Sequence, residues 1–258
     1  MWLVRRLIEY AIFCPPRPTY TREFVSITGR SLIFLGNGGD DTPILEYITD
    51  PNAPWILYSH GMRCDLGKLD RHIDKLSRDL CVNILLYEFP GYGCSRPSGC
   101  CSGSSTEQSC YNSITRAYDY LVQQGVKRII LYGVSLGTGP VIELATRVSV
   151  DGVVLRSPFL SLGIFHNLGK MHRITAPVLC IHGTRDWLVP WFHTEALCRR
   201  TSNYKLLYLP GGHGDLMRNY EMEIVQGLRE FLKTCIHNPG EEWRTSILTK
   251  SMPIEKCE

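Results

Sequence analysis

From about residue 53 onward the chain alternates short apolar runs with longer amphipathic ones. "PWILYSHG" (54–61), "CVNILLYEFPGYG" (81–93), "KRIILYG" (127–133), "DGVVLRSP" (151–158), "PVLCIHG" (177–183) and "YKLLYLPGG" (204–212) are each rich in Val, Ile, Leu and Tyr and bounded by Gly or Pro. They lack strict polar–apolar alternation, which suits strands covered on both faces, as in a parallel sheet. The segments between them, about 65–79, 107–124, 137–149, 190–200 and 219–235, predict helices. The pattern is that of an α/β domain with a mostly parallel central sheet and helices on both faces. Ahead of it, "EFVSI" (23–27), "SLIFL" (31–35) and "PILEYI" (43–48) predict a leading antiparallel portion, with "NGGDD" (37–41) as a hairpin turn.

Two stretches break the pattern. "CSRPSGCCSGSSTEQSC" (94–110) is rich in Ser, Gly and Cys and predicts an exposed loop, with 98–110 as an insertion into the domain. Its cysteines match no common zinc spacing, so no metal is expected there. At the front, "MWLVRRLIEYAIFC" places Leu3, Val4, Leu7, Ile8, Ala11 and Ile12 at helical spacing, with arginines between them. No run reaches the roughly 20 apolar residues of a membrane span, and the arginines spoil a signal peptide. The segment predicts an interfacial helix that contacts a membrane through residues 1–14 or packs on the domain surface. Cys14 then stands where S-acylation occurs. The expected organisation is a membrane-contact segment over 1–20, one domain over 21–236 and a tail over 237–258.

A net charge of +3, with no basic stripe interleaved with aromatics, argues against nucleic acid as a partner. The 11 cysteines are odd in number and scattered, and Cys81 and Cys180 lie in or beside apolar runs. Buried free thiols in a reducing compartment explain them better than a disulfide framework.

The candidate chemistry sits in "ILYGVSLGTG" (130–139), where Ser135 stands between Gly133 and Gly137 at a predicted strand-to-helix turn. Taken alone, the stretch allows a reactive serine on a tight elbow, an ordinary turn or a phosphate-binding loop. No Gly-Lys-Ser/Thr ends it, and the glycines are not spaced for a dinucleotide. A serine hydroxyl needs a base to become a nucleophile. His213 in "PGGHGD" follows the last predicted strand, at the same sheet edge as Ser135. His182, inside "VLCIHG", reads as packed. Asp186 follows the strand before, in "HGTRDWLVP", and would hold the histidine's tautomer. Asp215 is the rival acid and better placed to orient its own loop. The order Ser135, Asp186, His213 is that of an α/β-hydrolase. An oxyanion hole would come from the backbone N–H groups of Leu136 and Met62, the latter in the turn shaped by His60 and Gly61.

The motifs "SHGMRCDLG" (59–67), "YEFPGYGCSRPS" (87–98), "LYGVSLGTGP" (131–140), "LRSPFLS" (155–161), "PVLCIHGTRDWLVP" (177–190) and "GGHGD" (211–215) together resemble the depalmitoylases of the α/β-hydrolase-domain-containing series. The likeness is nearest to the membrane-anchored seventeenth-member group and covers about residues 14 to 233. It implies an α/β-hydrolase fold, a catalytic Ser135–Asp186–His213 triad, no cofactor, and S-acylated membrane proteins as substrates at the cytoplasmic face of membranes. That family carries clustered N-terminal cysteines, where this chain has Cys14 alone, so the helix over 1–13 would supply the second membrane signal. The insertion 98–110 is not part of the family pattern. Only residues 157–176 are available for a cap, which predicts an open cleft that also suits small esters. Carboxylesterase, lysophospholipase and serine peptidase chemistry use the same triad; a non-catalytic binding protein would commonly lack one of its members.

Overall fold

The computed structural model describes residues 7, 9, 11–26, 28–36, 41–95, 105–237 and the backbone of 247–248. Within them the strands are β1 (Ile33–Leu35), β2 (Thr42–Tyr47), β3 (Trp55–Ser59), β4 (Asn83–Tyr87), β5 (Ile129–Val134), β6 (Gly152–Arg156), β7 (Val178–Gly183), β8 (Tyr204–Leu209) and β9 (Ile247–Leu248). They form one sheet in the order β1-β2-β4-β3-β5-β6-β7-β8-β9. The β1–β2 and β2–β4 pairs are antiparallel and every later pair is parallel. The fold is that of an α/β hydrolase, with a mostly parallel sheet between helices.

The helices are α1 (Leu66–Leu80), α2 (Glu107–Gln123), α3 (Thr138–Ala145), α4 (Phe192–Cys198), α5 (Leu216–Asn219) and α6 (Glu221–His237). On one face of the sheet Ile56, Ile84, Ile130 and Val154 meet Ile73 of α1 and Phe231 of α6. On the other, Leu57, Leu85, Leu131 and Val153 meet Ile114 of α2 and Val141 of α3. Both registers of β2 to β7 are therefore buried, which is why their apolar runs are continuous. The loops leaving β3, β5, β6, β7 and β8 all gather at one edge, the C-terminal edge of the parallel strands, and the sequence candidates lie there.

Several local expectations are corrected. The described part of "EFVSI", 23–26, makes no strand, only an isolated bridge between Val25 and Ser31. Its turn is held instead by the Ser26 hydroxyl, which accepts the Arg30 N–H at 3.0 Å, and Val25 is half exposed. Cys81 is exposed, because it ends α1 in the left-handed conformation (φ 53°) rather than opening a strand. Cys110 belongs to the buried face of α2, not to an exposed loop: Thr106 and Ser109 cap that helix reciprocally and start it within the expected insertion. Residues 96–104, positions 37–40 of the expected hairpin turn, residue 27, and most of the 1–10 and 238–258 segments lie outside the described residues.

α1 also carries His72, whose Nε2 is buried without a hydrogen-bond partner. Burial, reinforced by the nearby Arg156 cation, pushes its imidazole down from 6.5 to about 4. Above pH 6.5 the folded and unfolded chains both hold this ring neutral. As the pH falls from there toward 4, the unfolded chain takes up a proton that the fold refuses, and stability declines. We expect His72→Gln to remove on the order of 2 kcal/mol of that acid-side loss. Urea titrations of both proteins at neutral and mildly acidic pH measure it; parallel losses would refute the assignment.

Candidate active site

β5 runs into Gly133-Val134 and then turns sharply. Ser135 sits at φ 49°, a left-handed conformation that costs a non-glycine residue about 1–2 kcal/mol. Residues Ser135–Gly137 form a single 3-10 turn that leads into α3. The flanking glycines are sterically required. A Cβ on Gly133 would lie 2.8 Å from the Gly137 oxygen, and one on Gly137 would overlap the Ser59 carbonyl oxygen. Leu136 is buried behind the turn.

At this edge the Ser135 hydroxyl meets His213 Nε2 at 2.9 Å, and His213 Nδ1 meets Asp186 Oδ2 at 2.7 Å. Asp186 is buried, while the His213 side chain keeps 21% of its surface in solvent. A carboxylate is acceptor-only, so the Nδ1 proton faces Asp186, and Nε2 is left to accept from the serine. Such a chain can move a proton from hydroxyl to imidazole. Burial alone would raise the Asp186 carboxyl. Hydrogen bonds from His182, His213 and the Val189 N–H, with the His213 charge, outweigh burial and hold it well below the usual carboxylate range. Asp186 Oδ1 accepts the N–H groups of Leu188 at 3.1 Å and Val189 at 2.8 Å. Asp215 accepts the Gly212 N–H at 2.6 Å and braces the histidine's loop without touching the ring.

His182 reads from the sequence as a packed residue. It is fully buried, but it is also part of this arrangement. Its Nε2–H donates to the Val189 carbonyl at 2.8 Å and lies 3.4 Å from Asp186 Oδ2, while its Nδ1 accepts from the Thr194 hydroxyl. It thereby ties α4 to the loop that presents Asp186.

The loop after β3 packs against the serine: a Cβ on Gly61 would lie 3.7 Å from the Ser135 Cβ. Met62 follows, half buried against the core. Behind the loop, His60 is fully buried, its Nδ1 2.9 Å from the Gly61 oxygen and its Nε2 2.9 Å from Glu88 Oε1. Glu88 also accepts the Tyr20 hydroxyl at 2.7 Å, the Leu66 N–H at 3.1 Å and the Phe89 N–H at 3.2 Å. Burial and the Glu88 charge push the Tyr20 hydroxyl far up, so it stays protonated and donates to Glu88. Neither Glu88 nor Tyr20 was singled out from the sequence. The available signal was Glu88 itself, the one charge in "NILLYEFPGYG".

Between β6 and β7, residues 157–176 form only loops and the 3-10 turn Met171–Arg173. They are pinned by Phe165, which packs on Phe13, Tyr111 and Phe159, and by the 2.7 Å Lys170–Glu143 ion pair. Cys14 is exposed. Among the described residues no group of three or more His, Cys, Asp or Glu gathers to hold a metal ion, and no helix is long and apolar enough to cross a membrane.

The chain is 34% identical to human α/β hydrolase domain-containing protein 17B over 208 residues, 73% of this chain and 69% of that protein. It is 32% identical over 202 residues to α/β hydrolase domain-containing protein aho-3 of Caenorhabditis elegans, 70% of this chain. Of that nematode protein's own length it spans 58%. No family model matches. Among solved structures, an esterase of Pyrococcus furiosus superposes with a TM-score of 0.67 at 18% identity, covering 79% of this chain and 92% of the esterase. Est1E from Butyrivibrio proteoclasticus gives 0.65 at 18% identity, covering 80% and 99%. At these identities the structural likeness is one of fold.

Proposed function

Since the chain belongs to the family of α/β hydrolase domain-containing proteins, we propose that it is a serine hydrolase of acyl thioesters, acting on S-palmitoyl-cysteine of membrane-associated proteins. The observation that carries the hydrolase reading is the hydrogen-bonded chain from Ser135 through His213 to Asp186. Ser135 Oγ attacks the acyl carbonyl carbon as His213 Nε2 takes its proton. The N–H groups of Leu136 and Met62 receive the oxyanion of the tetrahedral intermediate. Its collapse breaks the carbon–sulfur bond, and His213 returns the proton to the departing cysteine thiolate. Water, deprotonated by His213, then cleaves the Ser135 ester and frees the fatty acid. Asp186 orients the imidazole and stabilises its charged form.

The thioester assignment is supported by the family motifs and by the short 157–176 segment, whose loops and single 3-10 turn build no helical lid and so suit an acyl chain carried on a bulky protein. Oxygen-ester hydrolysis is the second reading, favoured by the esterase fold neighbours. Matched palmitoyl thioester and oxygen-ester substrates separate the two. We expect kcat/KM to favour the thioester by about tenfold or more, a difference of roughly 1.4 kcal/mol in transition-state stabilisation. Preference for the oxygen ester would sink the thioester reading, and no fluorophosphonate labelling of Ser135 would sink the hydrolase one.

A further inference from the structure

Four large apolar side chains stand in solvent within one six-residue stretch: Trp187 is 93% exposed, Leu188 66%, Trp191 43% and Phe192 52%. They occupy the loop after β7 and the start of α4, beginning one residue past Asp186. Such a concentration on a soluble surface marks a contact site. The backbone that displays it is held in place. Asp186 accepts the Leu188 and Val189 N–H groups, the Trp191 ring meets Tyr208 edge-on at 6.0 Å, and the Leu160 N–H donates to His193 at 3.3 Å.

The charge around the tip identifies the partner. In the described loops at the C-terminal edge of the sheet (60–65, 157–163, 184–191 and 210–215), the exposed charged side chains are Arg63 and Arg185. The acids there and in the adjoining first turn of α4 are spent: Asp65 and Asp186 are buried, Asp215 is half-buried and bonded to the Gly212 N–H, and the partly exposed Glu195 is paired with Arg199 at 2.6 Å. Tryptophan and aliphatic tips flanked by arginine, with no unpaired exposed acid among the described residues beside them, are the chemistry of an anionic bilayer interface. The N-terminal segment enters at the same edge. Phe13 packs on Phe165 of the 157–176 segment, the segment that also reaches His193 through Leu160, and Leu7 is 62% exposed.

We propose that Trp187, Leu188 and Phe192 enter the headgroup region of an anionic lipid bilayer and hold the C-terminal edge of the sheet, with Ser135, against the membrane. The docking stands on the surface alone; its catalytic consequence rests on Ser135 being the nucleophile. The tip is a second attachment, independent of residues 1–14.

The test uses the full chain, mixed phosphatidylcholine–phosphatidylserine vesicles and brominated lipid. Replacing Trp187, Leu188 and Phe192 together by serine is expected to weaken vesicle partition about a hundredfold. The loss should recur in protein lacking residues 1–14. Far-ultraviolet circular dichroism and the urea midpoint of the triple variant should match the parent, which shows that the chain still folds. Brominated lipid should quench tryptophan emission in the parent and less in Trp187→Ser. Ser135→Ala should bind vesicles like the parent, and a parent inactive on every substrate would remove the hydrolase reading while leaving the docking result intact. The proposal is overturned by unchanged partition in the triple variant, by no quenching, or by a parent that ignores vesicles and sediments as a dimer that the substitutions dissolve. The last outcome would make the tip an interface with a second copy.

Discussion

Ser135→Ala is expected to lower thioester turnover by roughly five to six orders of magnitude, because it removes the atom that forms the acyl-enzyme. It should do so without unfolding the protein, since the Ser135 side chain makes its hydrogen bond to His213 at a partly open edge rather than in the core. The same position permits a sharper test. Ser135 is held at φ 49°, which alanine tolerates no better than serine but glycine adopts freely. Ser135→Gly should therefore be as inactive as the alanine variant yet more stable than it by about 1 kcal/mol. Opposite movements of activity and stability are the signature of strain kept for function. Single-turnover assays and urea titrations read the two quantities. Residual turnover within tenfold of the parent would mean that another group attacks the substrate. Ser157 is the obvious alternative by backbone, at φ 50° beside the elbow, but its buried hydroxyl makes no hydrogen bond and so meets no base.

Strands β3 to β7 were readable because each is buried on both faces and so needs a continuous run of apolar residues, and β8 carries a run of the same kind. Ser135, Asp186 and His213 were readable because each directly follows one of those runs, which places all three at one edge before any contact is known. What stayed hidden depends on contacts between distant segments. Tyr20 and Glu88 are 68 positions apart and meet only through the fold. His182 looks like any polar residue ending a strand until Thr194, Val189 and Asp186 surround it. "EFVSI" has strand-like composition, but half-exposed Val25 and the Ser26–Arg30 turn bond give it a bend instead. Cys81 sits next to an apolar run, yet the end of α1 requires the left-handed conformation there and turns its thiol outward.

Asp186→Asn is expected to reduce kcat/KM by about four orders of magnitude with the fold intact. The amide retains an oxygen for the Leu188 and Val189 N–H groups, so the loop can keep its shape. What is lost is the charge opposite His213. An amide nitrogen facing Nδ1 also favours the ring tautomer with its proton on Nε2, where it can no longer accept from Ser135. The acid side separates this electrostatic role from a merely structural one. Because the Asp186 carboxyl is held well below its ordinary value of 3.8, the parent keeps that stabilisation at every pH above 3.8. It loses the stabilisation only as the pH falls below 3.8 through the lowered folded value, where the unfolded chain binds the proton first. The asparagine variant has no such proton to bind. Its stability should fall less steeply than the parent's in strong acid, while its activity is already low at neutral pH, where the carboxylate of the parent is fully ionised. A variant that keeps activity within tenfold of the parent would strip Asp186 of its place in the proton relay. One whose stability follows the parent's into acid would show that the carboxylate is not the paired, low-lying group described here.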